Sequence, residues 1–146
     1  MKQVAIGADH RGFVLKEFLV SQHRVRDHAL SWIDVGTHTN AATDYPQYAF
    51  KVAQKVRAGE VERGILLCGT GIGMSIAANR FKKIYAALVW NTELAKRARE
   101  EDGANILVLP ADYLSQEQVL EIVSVWLSGS FLGGHYQKRL HEVDMF

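Results

Sequence analysis

Ile65-Leu66-Leu67-Cys68-Gly69-Thr70-Gly71-Ile72-Gly73 is the stretch that decides the fold. Four apolar residues run without polar alternation, as expected of a strand buried on both faces of a parallel sheet. The glycines at 69, 71 and 73 then break the run and let backbone N–H groups approach a ligand closely. A helix from about Gly73 through Arg80 follows and turns the positive end of its dipole toward that turn, where anions are welcome. Outward from this centre the same grammar repeats. Val4–Ala8, Trp32–Val35, Tyr85–Val89 and Ile106–Leu109 read as further short strands, and amphipathic stretches separate them. Val14, Leu15, Phe18 and Leu19 form one helical stripe. Tyr45, Ala49, Val52, Ala53 and Val56 form another, with Asp44 at its N-cap and Pro46 in its first turn. Val119, Ile122, Val123, Trp126 and Leu127 form a third, opened by the capping box Ser115-x-x-Gln118 and stopped near Gly129. The expectation is a three-layer, Rossmann-like α/β fold with a five-stranded parallel sheet.

Length and composition agree. The 146 residues, 48% of them apolar, suit one domain with one core. A formal net charge of +1 with no charge block gives no reason to expect nucleic acid or an anionic membrane as partner. The single cysteine, Cys68, excludes an intrachain disulfide and points to a reducing, cytoplasmic compartment. The start, MKQVAIGADH, turns polar too early for a signal peptide. No apolar run approaches the ~20 residues needed to span a bilayer. Residues 131–146 read as a tail: Gly133-Gly134 is a hinge, and Tyr136, Leu140 and Val143 share one face of a last short helix that is expected to dock on a partner subunit.

Ligands of open parallel sheets bind beyond the carboxyl ends of the strands. Two loops lie there, Gly7-Ala8-Asp9-His10-Arg11-Gly12 and the loop after Cys68. The second is not a dinucleotide fingerprint, because Met74 stands where glycine would be needed, and it lacks the Lys-Ser/Thr pair of a P-loop. Cys68 at its mouth reads either as a reactive thiol or as a buried structural cysteine. Asp9 reads as a helix cap or a ligand-binding carboxylate, and His10 as a solvated bystander or a ligand. The six histidines and one cysteine show no metal-ligand spacing, so neither metal nor cofactor is expected. Trp32, Trp90 and Trp126 read as core or interface, and Lys82-Lys83 and Lys96-Arg97 as solvated faces.

Together, Ala8-Asp9-His10-Arg11-Gly12, Asp34-Val35-Gly36-Thr37, Thr43-Asp44-Tyr45-Pro46, the 65–73 stretch and Ile76-Ala77-Ala78-Asn79-Arg80 resemble the type B ribose-5-phosphate isomerase family, which includes galactose-6-phosphate isomerase subunits. The resemblance covers nearly the whole chain. It implies an aldose–ketose isomerase that works through a cis-enediolate, with Cys68 as base and Thr70 and the N–H groups of Gly69, Gly71, Ile72 and Gly73 steadying the oxyanion. Asp9, His10 and Tyr45 join the substrate site by the same resemblance. It further implies ribose 5-phosphate and ribulose 5-phosphate, or a related sugar, as substrate, and a homodimer or dimer of dimers with sites at the subunit interface. A non-catalytic, sugar-binding subunit of a hetero-oligomer is the other reading, and an intact Cys68-Gly69-Thr70-Gly71 argues against it.

The departures from the family pattern are specific. Glu101 stands where the family has its ring-opening histidine and Asp102 where it has asparagine. Asp112 stands where an arginine often helps hold the phosphate. In the tail, His135 replaces another arginine, and only Arg139 remains. The expectation is that Glu101 takes over ring opening, while Asp112 makes the pocket less hospitable to phosphate unless other basic groups, such as Arg11, serve instead.

Overall fold

The computed structural model describes residues 1–146. Five strands run parallel: β1 (Lys2–Ala8), β3 (His28–Asp34), β4 (Arg63–Cys68), β5 (Ala86–Leu88) and β6 (Ile106–Pro110). All five correspond to expected strands, with ends shifted by a few residues. The sheet is nonetheless mixed and six-stranded. A two-residue strand, β2 (Arg24–Val25), pairs antiparallel to β3 and gives the order β2-β3-β1-β4-β6-β5. This corrects the expectation of five parallel strands: β2 is too short for any periodic signal, and a tight turn through Arg26, at φ 51°, folds it onto the edge.

Alternation along the buried strands splits the interior in two. Val4, Ile6, Ala8, Ile65, Leu67, Leu107 and Leu109 face one side. There they meet α1 (Phe13–Val20), α4 (Thr92–Asp102) and α5 (Gln116–Ser128). Ala5, Leu66, Cys68, Ile106 and Val108 face the other side, against α2 (Tyr45–Arg57) and α3 (Ile72–Ala78). A last helix, α6 (His135–Asp144), follows Gly133 and Gly134, both at positive φ, which turn the chain into it.

Several local expectations are met and several are corrected. Ser115 and Gln118 form the full capping box of α5. Asp44 occupies the N-cap of α2 but its side chain makes no capping bond. α3 begins at Ile72 and ends at Ala78, short of Arg80, where Asn79 instead ties itself to Ala86. On α1, Val14 is exposed and Lys16 takes a place in the buried face. Trp126 is core as expected, whereas Trp90 is 54% exposed. In α6, Leu140 is buried while Val143 lies open.

The chain order places the working end. After β1 the chain builds β3 on one flank. It then crosses back to add β4 on the other flank, so the switch point lies between β1 and β4, where a crevice opens at the strands' carboxyl ends. The loops that leave Ala8 and Cys68 border it.

Candidate active site

Cys68 ends β4 with its side chain 5% exposed. The chain turns sharply at Gly71, which takes φ 75° and donates its N–H to Cys68 Sγ at 3.2 Å. A Cβ at position 71 would overlap Leu88 Cδ1, so both conformation and space require glycine there. Thr70 Oγ1 accepts from the Ile72 N–H at 3.2 Å, which leaves its O–H free to donate outward. The N–H groups of Gly69 and Thr70 carry no partner within the protein. The loop therefore offers a sulfur held by one N–H, two free N–H donors and a hydroxyl. That is the inventory needed to take a proton and hold an oxyanion.

The β1 loop closes the other side. Asp9 is buried, and its Oδ1 accepts the N–H groups of Arg11 and Gly12 at 2.9 and 3.1 Å. Asp9 therefore braces the loop and does not cap α1, whose N-cap is Gly12 with no side-chain bond, and its Oδ2 makes no hydrogen bond and stays available. His10 is not a bystander: its Nδ1 lies 3.2 Å from both the N and the O of Thr43. Thr43 Oγ1 in turn meets the Tyr48 hydroxyl at 2.9 Å. Hydrogen bonds from Thr37 and Thr43 hold the Tyr48 phenol below its usual range. Tyr45 lies over the first turn of α3, where a Cβ at Gly73 would come within 2.6 Å of its ring.

Asp112 reaches the same end of the sheet, in a single 3-10 turn (Ala111–Tyr113) after β6, with its N–H on the Gly69 carbonyl at 3.0 Å. It is not a free acid. Its Oδ2 is paired with Arg11 Nη2, the basic group that the sequence offered as the alternative at this place.

Glu101, Asp102, His135 and Arg139 lie elsewhere. α4 leaves the carboxyl end of β5 and runs back to the amino end of β6, so Glu101 and Asp102 sit across the sheet from Cys68. Glu101 is 3.8 Å from Arg97 on its own helix. The tail joins this end: the Leu132 N–H bonds the Glu100 carbonyl, and Gly103 abuts Leu140. The Asp102 carboxyl is raised above its usual value, first by desolvation and then by the charge of Glu101, with Arg139 opposing. The residues expected at the site therefore fall into two groups at opposite ends of the sheet.

The network behind His10 escaped sequence reading, as did Lys16. Its Nζ is fully buried, 2.8 Å from Glu17 and 2.7 Å from Asp34. Asp34 Oδ1 takes the Gly36 N–H at 2.9 Å and so fixes the turn stitched to Ala8. Glu17, Asp34 and His38 are close enough to share a cation, but the Lys16 ammonium already supplies the charge between the two carboxylates. The available signal was a lysine inside an apolar stripe, which demands a buried acid.

A switch-point loop that sets a cysteine beside free N–H donors and a hydroxyl has the parts an isomerase needs, and comparison with known proteins agrees. Residues 4–143 match the Ribose/Galactose Isomerase family, and the chain belongs to it. Its activity is aldose–ketose isomerisation. Ribose-5-phosphate isomerase B of Escherichia coli is 41% identical over 143 residues, covering 98% of this chain and 95% of that protein. A ribose 5-phosphate isomerase of Thermotoga maritima superposes with a TM-score of 0.93 at 41% identity, over 99% of each chain. Ribose-5-phosphate isomerase B from Mycoplasma genitalium, solved with bound ribulose-5-phosphate, superposes with a TM-score of 0.89 at 34% identity, over 98% of this chain and 94% of that one.

Proposed function

We propose that this isomerase interconverts ribose 5-phosphate and ribulose 5-phosphate, with Cys68 as the base. The observation that carries the reading is the Gly71 N–H on Cys68 Sγ beside the unpartnered N–H groups of Gly69 and Thr70. The thiolate of Cys68 removes the proton from C2 of the open-chain aldose. The electron pair moves toward C1, and O1 becomes the enediolate oxygen that the free N–H groups and Thr70 hold. The proton on O2 passes to O1, and the Cys68 thiol returns its proton to C1, which leaves the ketose carbonyl at C2. No electron enters or leaves, so the step requires no redox cofactor. Each well-placed donor to the oxyanion is worth roughly 3–4 kcal/mol.

The second half-site completes the first in a homodimer. α3 begins beside Cys68 and ends toward the half-site of Glu101 and Arg139, and it exposes Ile72 and Ile76 at 55% and 61%. Antiparallel pairing of two such helices about a two-fold axis sets Glu101, Asp102, His135 and Arg139 of one chain against Cys68 of the other. Glu101 then serves ring opening, since a carboxyl both donates and accepts a proton. Cysteine chemistry of this kind fits a reducing cytoplasm.

Cys68→Ser tests the assignment. Serine keeps an acceptor for the Gly71 N–H, so the fold is retained, while turnover on ribose 5-phosphate falls by on the order of 10²–10⁴-fold. Turnover near that of the wild type overturns the role of Cys68.

A further inference from the structure

Arg11 and Asp112 are 101 residues apart in sequence and meet directly over the catalytic loop. Their pairing is shaped around Gly69: a Cβ at that position would stand 2.7 Å from both Arg11 Nε and Asp112 Oδ2. Glycine at 69 is therefore what lets an ion pair lie flat over the residue that follows Cys68. Asp112 engages only Nη2, so Nε and Nη1 of the guanidinium have no partner. The Arg11 side chain is 57% exposed and that of Asp112 33%, so the pair borders the crevice instead of being sealed into the core.

Lys16, near this end, is spoken for. It is fully buried between Glu17 and Asp34. Arg11 is left as the charged donor that one chain presents over its own Cys68 loop. A guanidinium anchored at one nitrogen keeps its remaining donors in a fixed fork, the geometry that suits a phosphate oxygen pair. An unanchored arginine would have to surrender side-chain entropy on binding, whereas one already tethered has surrendered part of it beforehand.

We propose that Arg11, tethered over Gly69 by Asp112, receives the phosphate of the sugar substrate, and that Asp112 is its positioning residue. The acid that looked hostile to a phosphate then works through the arginine it holds. The inference rests on the isomerase reading for the identity of the sugar, and its test has an arm that does not depend on turnover. kcat and KM are measured for ribose 5-phosphate and for ribose with the wild type, Arg11→Met, Arg11→Lys and Asp112→Ala. Binding of inorganic phosphate is measured by calorimetry on the same proteins. Arg11→Met lowers the ratio of kcat/KM for ribose 5-phosphate to that for ribose by on the order of 10–100-fold, chiefly through KM, and weakens phosphate binding by a similar factor. Arg11→Lys restores part of both, and Asp112→Ala shifts both in the same direction as Arg11→Met, by less. A ratio and a phosphate affinity unchanged in Arg11→Met overturn the assignment. A gain in either on Asp112→Ala means that the carboxylate repels the anion, and overturns its positioning role. A wild type that binds phosphate through Arg11 yet turns over neither sugar sinks the isomerase reading and leaves the anion site standing.

Discussion

Gly59 and Gly71 make a matched pair in which the cost of the catalytic turn separates into its parts. Both sit at positive φ, 77° and 75°. A Cβ at Gly59 meets nothing within 4 Å. At Gly71 it overlaps Leu88 Cδ1, the tip of a half-buried side chain, and crowds Val108 Cγ1 at 3.3 Å in the core. Alanine in the left-handed region costs about 1–2 kcal/mol, so Gly59→Ala destabilises by that much, less a small gain from a stiffer unfolded chain. Gly71→Ala carries the same terms plus overpacking of roughly 1–3 kcal/mol, for a total of about 2–5 kcal/mol. Urea unfolding of the two variants isolates the packing term by subtraction. Where the left-handed turn itself yields, the Gly71 N–H moves away from Cys68 Sγ, and a displacement of ~1 Å at a reacting group costs on the order of 10²-fold in rate. Turnover therefore falls steeply in Gly71→Ala and stays at wild-type level in Gly59→Ala, which is remote from the crevice. Equal destabilisation of the two variants, or full turnover in Gly71→Ala, refutes this account of the turn.

Two further outcomes follow from buried and paired groups. Lys16→Met strands Asp34 without its cation and costs roughly 3–5 kcal/mol in urea unfolding, and the double variant with Asp34→Asn recovers most of it. A single variant that unfolds like the wild type means the pair contributes nothing. Tyr85 is pushed up to about 12, first by desolvation and then by Asp144. The phenol's share of stability is therefore complete below its ordinary value near 10 and is lost as pH rises toward about 12. Tyr85→Phe removes that part of the alkaline slope, and an identical slope in the variant contradicts the pairing.

The sequence made legible what local chemistry writes. Buried parallel strands appear as unbroken apolar runs, and the 65–73 stretch carried strand, turn and helix start in nine residues. The capping box of α5 is local in the same sense. What stayed hidden depends on tertiary partners. β2 is two residues long, and its pairing to β3 comes from a turn, not from a pattern. α4 turns only Ala95 and Ala98 fully to the core, too small a stripe to announce a helix. In the site, Asp112 read alone is a repulsive acid. Its meaning changes once Arg11 arrives from another loop, and no spacing rule links positions so far apart. Lys16, on α1, was assigned to no role because its acid, Asp34, belongs to another element, β3.

The separation of Cys68 and Glu101 within one chain is the feature on which the proposed dimer rests. A helix that leaves the carboxyl end of one parallel strand must return to the amino end before the next begins, so the end of α4 cannot reach the crevice of its own sheet. If Glu101 acts in the reaction, it acts on the Cys68 of another copy. A heterodimer of Cys68→Ser and Glu101→Gln, isolated by two different affinity tags, decides the matter. One of its sites holds both substitutions. The other pairs an intact Cys68 with an intact Glu101 and works normally, so the heterodimer runs at about half the wild-type rate although both parents are impaired. Were the Glu101 that serves a site in the same chain, each site would carry one lesion, and the heterodimer would show only the mean of its parents. That mean is also the outcome if Glu101 is no more than a helix-end acid paired with Arg97, in which case Glu101→Gln by itself turns over like the wild type.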